Sequence, residues 1–321
     1  MKGECRNQGM AWSEYLVIIG IVAILMIVLL PIVVRTMGIG AKGSCAKNLK
    51  EWGQVLRMYA EEDADGKLPP IQIDLAPDGK SVDAAAAPRL SAIWPQYLTN
   101  PAILVCPADA DNCVERYQDD SGHWALDEKS ARRRAGDSYS YLGWTLDKCN
   151  DSDPKRDIGS ILEMGSLIGQ TAPSDIDATL EGPAQLIEGL MGVVQLGIAE
   201  MGSGKTLGQI AEQLMEADVK VAKDPDGNAL GNGGSDTIFR LRLDLRPVVA
   251  AAGGNPEDGN IQPNHIFVMF DNVANDPKKF NHPPGGSNIL YLDGHVKFSR
   301  HPGKAPLSQT VTNLVANIKK D

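Results

Sequence analysis

The feature that most constrains this chain is a run of 20 residues without a charge, from Tyr15 to Val34. As a helix, this run would be about 30 Å long, which matches the thickness of the hydrocarbon core of a bilayer. The next most apolar stretch, residues 186–201, contains Glu188 and Glu200 and is typical of a helix in a soluble core. The sequence therefore predicts one membrane-spanning helix, which we place at residues 10–34.

The segment in front of this run, residues 1–9, is short and polar and contains Lys2 and Arg6. Positive charges beside a span tend to stay in the cytoplasm, so we expect the rest of the chain to be exported. A secretory signal peptide would have a shorter apolar region followed by a small-residue cleavage site, and no convincing site follows Arg35. Residues 1–9 are therefore predicted to be a leader on a lasting membrane anchor.

Glu14 places a carboxylate at the mouth of the predicted membrane helix. A charge at this depth is costly and often functional. The same position also suits a negative charge at the headgroup level, where it interacts favourably with the helix dipole. Taken alone, Glu14 leaves both interpretations open.

Four residues in and before the run lie at defined spacings from one another: Gly9, Met10, Glu14 and Pro31. Glu14 is the fifth residue after Gly9, and Pro31 is the twenty-second. Together with the unbroken apolar run, this arrangement resembles a type IV prepilin. The resemblance implies that a membrane prepilin peptidase cuts after Gly9 on the cytoplasmic side and methylates the new N-terminal residue, Met10. Met10 is itself a departure, since most members of that family have Phe there.

Further segments resemble the pilin-like and pseudopilin-like proteins of planctomycete-type bacteria, whose chains end in a His…Asp-Gly signature. Here that signature is formed by His282, Asp293 and Gly294, with ten residues between the histidine and the aspartate where the family usually has nine. Residues from about 150 to 234 carry no such resemblance. The other matching segments are 44–53, 58–60, 65–70, 97–100, 105–109 and 137–141.

The residues after the span predict an α+β fold. Residues 35–62 continue the helix with an apolar stripe at spacings of three and four. We expect an acidic turn at 63–66, irregular proline-rich chain as far as Pro107, and a helical insertion at about 150–234 within an exported domain, 63–321. The predicted architecture, pilin-like by resemblance, is a long N-terminal transmembrane-plus-amphipathic helix packed on a small antiparallel sheet. The stripe comprises Ala46, Leu49, Trp52, Leu56 and Tyr59.

The sheet is predicted from the C-terminal part of the chain. Residues 266–270 and 288–292 are short apolar runs typical of buried strands. Asp293-Gly294 lies between residues 289–292 and 295–298, which is a strong hairpin signal. We expect a type I′ turn there, because that turn needs positive φ at both central residues.

Charge and motif content argue against several other functions. The formal net charge is −10, and nucleic-acid binding needs clustered Lys and Arg. Residues 199–206 fit a relaxed phosphate-loop pattern around Lys205, but the preceding residues do not clearly form a strand, so a joint between helices is preferred to a nucleotide site. His282, Asp293 and His295 could gather around a metal, but a tight turn explains the aspartate better. We therefore expect no catalytic, cofactor or metal site.

Cleavage of the leader would remove Cys5 and leave four cysteines in the exported part. An even number there favours disulfides, with three possible connectivities, and free buried thiols are the alternative. The resemblance favours Cys45 with Cys106, because both lie in family-like segments, which leaves Cys113 with Cys149.

The resemblance implies a non-catalytic structural subunit of a type IV pilus or a type II secretion filament. The expected partners are a prepilin peptidase, other pilin-like subunits in a homo- or hetero-oligomeric filament, and the lipid bilayer, with no nucleic acid and no nucleotide. The expected location is the bacterial inner membrane, with the N-terminus cytoplasmic and the C-terminal domain in the periplasm or in a surface filament. The alternatives are a membrane-anchored exported enzyme or nucleotide-binding protein, and an anchored binding protein that uses the prepilin route only for insertion.

Overall fold

The computed structural model describes residues 40, 42–75, 82–167, 177–200, 203–224, 226–253, 261–274, 276–283 and 285–318. The chain divides into two compact units, Met1–Gly43 and Ser44–Asp321, and the fold below is that of the second. The predicted membrane span and the residues Gly9, Met10, Glu14 and Pro31 lie outside the described residues. Among the helices that are described, none has both the length and the apolar character needed to cross a bilayer.

The described chain mixes helices with small antiparallel sheets, in agreement with the predicted α+β class. The helices are α1 (42–62), α2 (Leu90–Ile93), α3 (Lys129–Arg134), α4 (Gly159–Leu167), α5 (Ala184–Glu200), α6 (Leu207–Glu216), α7 (Arg246–Ala251) and α8 (Gln309–Ile318). The strands are β1 (Ile71–Leu75), β2 (Val82–Pro88), β3 (Tyr139–Tyr141), β4 (Lys155–Asp157), β5 (Glu181–Pro183), β6 (Val219–Lys220), β7 (Thr237–Ile238), β8 (Phe267–Asp271), β9 (Gly286–Tyr291) and β10 (Val296–Arg300). Short 3-10 helices lie at Pro101–Leu104, Val114–Tyr117, Asn232–Gly234 and Pro277–Lys279.

The main sheet has four antiparallel strands in the order β10-β9-β8-β3. The two central strands, β8 and β9, are buried on both faces along nearly their whole length, including the polar residues Asp271, Ser287 and Asn288. Val268, Met269 and Leu290 join the core cluster that contains the apolar face of α1. Phe270 and Ile289 join a second cluster, which contains residues of α5 and α8. The sheet therefore lies between two apolar cores.

Helix α1 packs its apolar face on this sheet and on the loops beside it. A Cβ added to Gly53 would lie only 3.1 Å from Leu290 Cδ1, so the helix closely approaches β9. The helix ends at an acidic turn, as expected, because Asp63 Oδ1 accepts hydrogen bonds from the backbone N–H groups of Asp65 and Lys67 and Gly66 adopts a φ of +63°. The buried stripe differs slightly from the prediction, since Ala46 and Tyr59 are only half-buried at its border. Its buried members are Cys45, Leu49, Trp52, Val55, Leu56 and Ala60.

The predicted hairpin is present between β9 and β10, but its turn is of a different type. Leu290 pairs with Val296, and the Tyr291 N–H donates to the His295 carbonyl at 3.0 Å, so the loop has three residues. Gly294 has a φ of +89°, whereas no described residue other than glycine has a positive φ. The type I′ prediction is therefore wrong. A three-residue loop needs the left-handed conformation at only one position, and glycine occupies it.

The region before residue 107 and the insertion contain more strand than the sequence suggests. Strands β1 and β2 form a separate antiparallel pair within the stretch predicted to be irregular. The insertion contains the predicted helices α4, α5 and α6, of which α6 covers the clear helical stretch at 209–215. It also contains two short antiparallel pairs, β4 with β5 and β6 with β7.

Candidate functional site

A disulfide between Cys45 and Cys106 joins α1 to the loop that follows the 3-10 helix Pro101–Leu104. The two Cα atoms are 5.4 Å apart, and both side chains are fully buried. Two hydrogen bonds run beside it, from Asn48 Nδ2 to the Val105 carbonyl and from Trp52 Nε1 to the Ile103 carbonyl, each 3.0 Å long. One side of the helix is thus tied to this loop at three successive turns.

The second expected disulfide is not formed, because its two cysteines lie in different environments. Cys113 is exposed just before the 3-10 helix Val114–Tyr117. Cys149 is buried in the second core, where its thiol contacts Gln185 Oε1 at 3.9 Å. Burial raises the pKa of the Cys149 thiol well above its ordinary value. Both cysteines are free thiols, and the expected Cys113–Cys149 pair is therefore wrong.

The histidine of the signature, His282, packs against the disulfide rather than at the hairpin. His282 is buried, and its Nε2 lies 2.8 Å from Oδ2 of Asp271, the last residue of β8. An ionised carboxylate can only accept, so Nε2–H is the donor in this bond. The same Oδ2 also accepts from the backbone N–H and the side-chain Nδ2 of Asn288, both at 2.8 Å.

Cys45, Cys106, Asp271 and His282 form a compact buried cluster. One donor atom from each residue lies within 4.8 Å of the donor atoms of the other three. Cys106 Sγ is 4.0 Å from His282 Nε2. Asp271 Oδ1 is buried and has no hydrogen-bond partner within the part of the chain that the structure describes. Two sulfurs, an imidazole and a carboxylate are therefore concentrated at one point of the core.

The other two signature residues, Asp293 and Gly294, shape the exposed tip of the hairpin. Asp293 Oδ1 accepts from the His295 backbone N–H at 3.1 Å and lies 2.6 Å from its ring Nδ1. The His295 ring stacks on Tyr291 with 4.4 Å between centroids. Partial burial opposes ionisation of Asp293, but the hydrogen bonds from His295 lower the pKa of the carboxyl below its usual value.

The signature residues thus occupy opposite ends of β9. Six strand residues, Gly286–Tyr291, separate His282 from Asp293, which corresponds to about 20 Å of extended chain. His282, Asp293 and His295 are therefore not brought together, in line with the expectation that Asp293 serves the turn.

The segment resembling a phosphate loop joins two helices. Helix α5 ends at Glu200, α6 begins at Leu207, and Thr206 caps α6 in a reciprocal bond with Gln209. Lys205 Nζ donates to Glu200 Oε2 at 2.7 Å and to Gln213 Oε1 at 2.5 Å. A phosphate loop needs a strand before its glycines, and a helix stands there instead.

Three members of the buried cluster are recognisable in the sequence, each by itself, and the fourth is not. Cys45, Cys106 and His282 each lie in a recognisable segment, but no spacing in the sequence connects them. Asp271 directly follows the apolar run 266–270. A carboxylate at the end of a buried strand was the available signal for it.

The chain was compared with protein-family models, with curated proteins and with solved structures, and none of the three comparisons found a match.

Proposed function

We propose that this chain is a pilin-like or pseudopilin-like structural subunit of a type IV pilus or type II secretion filament. A prepilin peptidase would process it at the inner membrane, leaving its C-terminal domain exported. In this role the chain has no catalytic activity, and its partners are other pilin-like subunits. The fold proposed with it is a long N-terminal helix that crosses the membrane and continues into α1.

The observation that carries the proposal is the order of residues around the apolar run. A charged leader ends in Gly9, Glu14 follows at the fifth position, and the uncharged stretch continues to Val34. A signal peptide or an ordinary anchor requires the apolar run but requires neither the glycine nor the glutamate.

The described part of the chain adds support at the level of architecture. One face of α1 is covered by the sheet, and the disulfide holds the helix to the domain. The opposite face presents Lys47, Lys50, Gln54 and Arg57, all exposed. A subunit that packs through its N-terminal helix needs the helix fixed to its own domain on one side and accessible to neighbours on the other.

The decisive experiment is the mass of the native N-terminus. We expect the purified chain to begin at Met10 with a methylated α-amino group. A Gly9→Val variant should remain uncleaved because its side chain blocks the cleavage position, whereas Gly3→Val in the same leader should be processed normally. An intact Met1, or a start beyond Val34, would contradict the proposal. The former result would favour an anchored binding protein.

A further inference from the structure

We propose that Cys45, Cys106, His282 and Asp271 form a redox-gated metal centre, in which the reduced cysteines bind one Zn²⁺ in place of the disulfide. The inference rests on the geometry of the described core and does not depend on the filament proposal. It gives this cluster two covalent states: a disulfide when oxidised and a zinc site when reduced.

The donor set fits zinc by its chemistry. Structural zinc sites are tetrahedral and draw on cysteine thiolates, histidine nitrogens and carboxylate oxygens, and here two sulfurs, one imidazole and one carboxylate are available. Thiolates select against magnesium and calcium, which prefer oxygen ligands alone. Because all four side chains are buried, the site is closed to a fifth ligand from solvent, as structural zinc sites are.

The distances require only small adjustments. Zinc bonds of about 2.0–2.3 Å place the donors of a tetrahedron about 3.3–3.8 Å apart, and the donors here lie within 4.8 Å of one another. Cys106 Sγ and His282 Nε2 are 4.0 Å apart, close to the separation that a shared metal would impose. The two sulfurs must move apart once their bond is broken, and His282 Nε2 must withdraw slightly from Asp271.

Asp271 has an oxygen that the oxidised cluster does not use. Its Oδ2 accepts three hydrogen bonds, whereas Oδ1 is buried with no partner among the described residues. A bare carboxylate oxygen in a core is costly and is a recognised sign of an ion or a redox role. A zinc ion bound by this carboxylate would offset the cost of its bare oxygen, while the Asn288 donors keep the carboxylate oriented, which is the usual arrangement of groups around a metal-bound carboxylate.

The conversion balances with a dithiol as reductant. Thiol–disulfide exchange transfers two electrons and two protons from the dithiol to the Cys45–Cys106 bond, giving two thiols and the oxidised form of the reductant. Binding of Zn²⁺ then releases one proton from each thiol, while His282 carries its remaining proton on Nδ1. In the reverse exchange, a disulfide oxidant accepts the two electrons of the thiolates, takes up two protons from solvent and leaves as two thiols, while the Cys45–Cys106 bond re-forms. The metal is then released, because the thiolate charges needed for coordination are lost.

The consequence is that α1 stays connected to the C-terminal signature under both conditions. The disulfide joins the helix only to the loop that contains Cys106. The metal would additionally bind His282, which precedes β9, and Asp271, which ends β8. Reduction would therefore replace a bond between two residues with a metal bound by four residues, and the helix would stay attached.

The test uses the full chain in detergent, reduced anaerobically with a phosphine and then freed of reductant. We expect the reduced chain to retain one Zn²⁺ after dialysis and the oxidised chain to retain none, as measured by mass spectrometry of the metal. Co²⁺ in place of Zn²⁺ should give thiolate-to-cobalt charge-transfer absorption. Cys106→Ser and His282→Gln should each weaken binding by at least about 10–100-fold, the loss seen even for groups outside the coordination sphere.

Matched controls come from residues outside the cluster. Cys113→Ser removes the exposed free thiol, and His301→Gln removes a half-buried histidine that packs against Phe280; both should bind the metal like the unmodified chain. The proposal is overturned if the reduced chain binds no stoichiometric zinc, or if Cys106→Ser binds it undiminished. It is also overturned if Cys113→Ser abolishes binding, or if near-ultraviolet circular dichroism shows that the reduced chain unfolds and does not refold with Zn²⁺.

Discussion

Asp271 is the residue on which the buried polar contacts of the main sheet converge. Its Oδ2 receives His282 Nε2 and two donors of Asn288, so β8 and β9 and the turn before β9 are joined at one atom. Such donors offset the free-energy cost of burying a carboxylate in the core. The histidine of the signature is therefore a structural partner of a carboxylate.

Removing the imidazole should be costly for the fold. In the oxidised chain, we expect His282→Ala to lower the free energy of unfolding by about 2–4 kcal/mol. Asp271 would lose a hydrogen-bond donor, and the contact between the His282 and Phe298 rings would be lost. Thermal unfolding of the detergent-solubilised protein, followed by near-ultraviolet circular dichroism, measures the change.

His295→Ala is the matched control for this prediction. His295 lies at the exposed hairpin tip, where surface substitutions usually change stability by less than about 0.5 kcal/mol. Equal effects of the two substitutions would contradict the role assigned to His282.

At the scale of single elements, helix α5 shows how closely the insertion is packed. A Cβ on Gly192 would overlap Val219 and lie 3.0 Å from the Lys220 carbonyl oxygen, so the helix lies directly against β6. A Cβ on Gly197, in the same helix, would meet only the tip of Leu214 at 3.2 Å. Gly192 is required because the backbone of β6 approaches the helix closely there. Gly197 faces only the side chain of Leu214, which can shift.

Replacing each of these two glycines with alanine should affect stability differently. Alanine favours helix over glycine by roughly 0.5–1 kcal/mol, so Gly197→Ala should be neutral or slightly stabilising. Gly192→Ala should be destabilising by about 1–3 kcal/mol, because overpacking against β6 outweighs that gain. Thermal unfolding of both variants decides the question, and a Gly192→Ala variant as stable as Gly197→Ala would refute the close packing.

The elements differ in how well the sequence predicts them. The β9–β10 hairpin was predictable from Asp293-Gly294 between apolar runs, but the turn type depends on the register, which the pattern of residues alone leaves open. Strand β2 was missed because its sequence, VDAAAAP, is rich in alanine, which has low strand propensity. Pairing with β1 determines its conformation, and pairing is a tertiary contact.

The same limit applies to the candidate site. The cysteines and His282 were identifiable from their segments, yet Asp271 becomes a member only when β8 pairs with β9 and places its end beside them. The Cys113–Cys149 pair was inferred by elimination from the sequence, which does not show burial. In the structure the two thiols are apart in environment, because Cys113 is exposed and Cys149 is buried.

For the whole molecule, the disulfide is the longest-range covalent constraint in the described chain. It closes a loop across a sequence separation of 61 residues. In the chain-entropy estimate, a loop of that length corresponds to about 4 kcal/mol of stabilisation. Because the disulfide connects α1 to the rest of the domain, its loss should mainly weaken the packing of α1 on the sheet.

We expect a Cys45→Ser/Cys106→Ser double substitution to lower the stability of the chain by roughly 4 kcal/mol, with Cys113→Ser unchanged as the control. Proteolysis under native conditions should then cut near the junction of α1 and the loop at 105–109 first. Unaltered thermal unfolding of the double variant would show that the packing of α1 suffices without the bond.

The proposed filament adds one more level of packing, at which Glu14 is the critical charge. In the mature chain, the α-amino group of Met10 would lie four residues before Glu14, which is about one helical turn. Burying a lone carboxylate among packed helices costs several kcal/mol. In the bilayer, a monomer can keep Glu14 at the headgroup level. In a filament, neighbouring helices replace the headgroups, and the amine of an adjacent Met10 is the nearest cation.

We therefore expect Glu14→Gln to leave cleavage after Gly9 and membrane insertion intact while sharply reducing assembly, because the incoming subunit loses the pair that fixes its axial register. Asp120→Asn, which changes an exposed carboxylate outside α1, should assemble normally. The yield of sheared filaments, with the processing of each variant checked by mass, measures both. If Glu14→Gln assembles as well as Asp120→Asn, the glutamate is a solvated interfacial charge without a partner, and register must be set by other contacts between the helices.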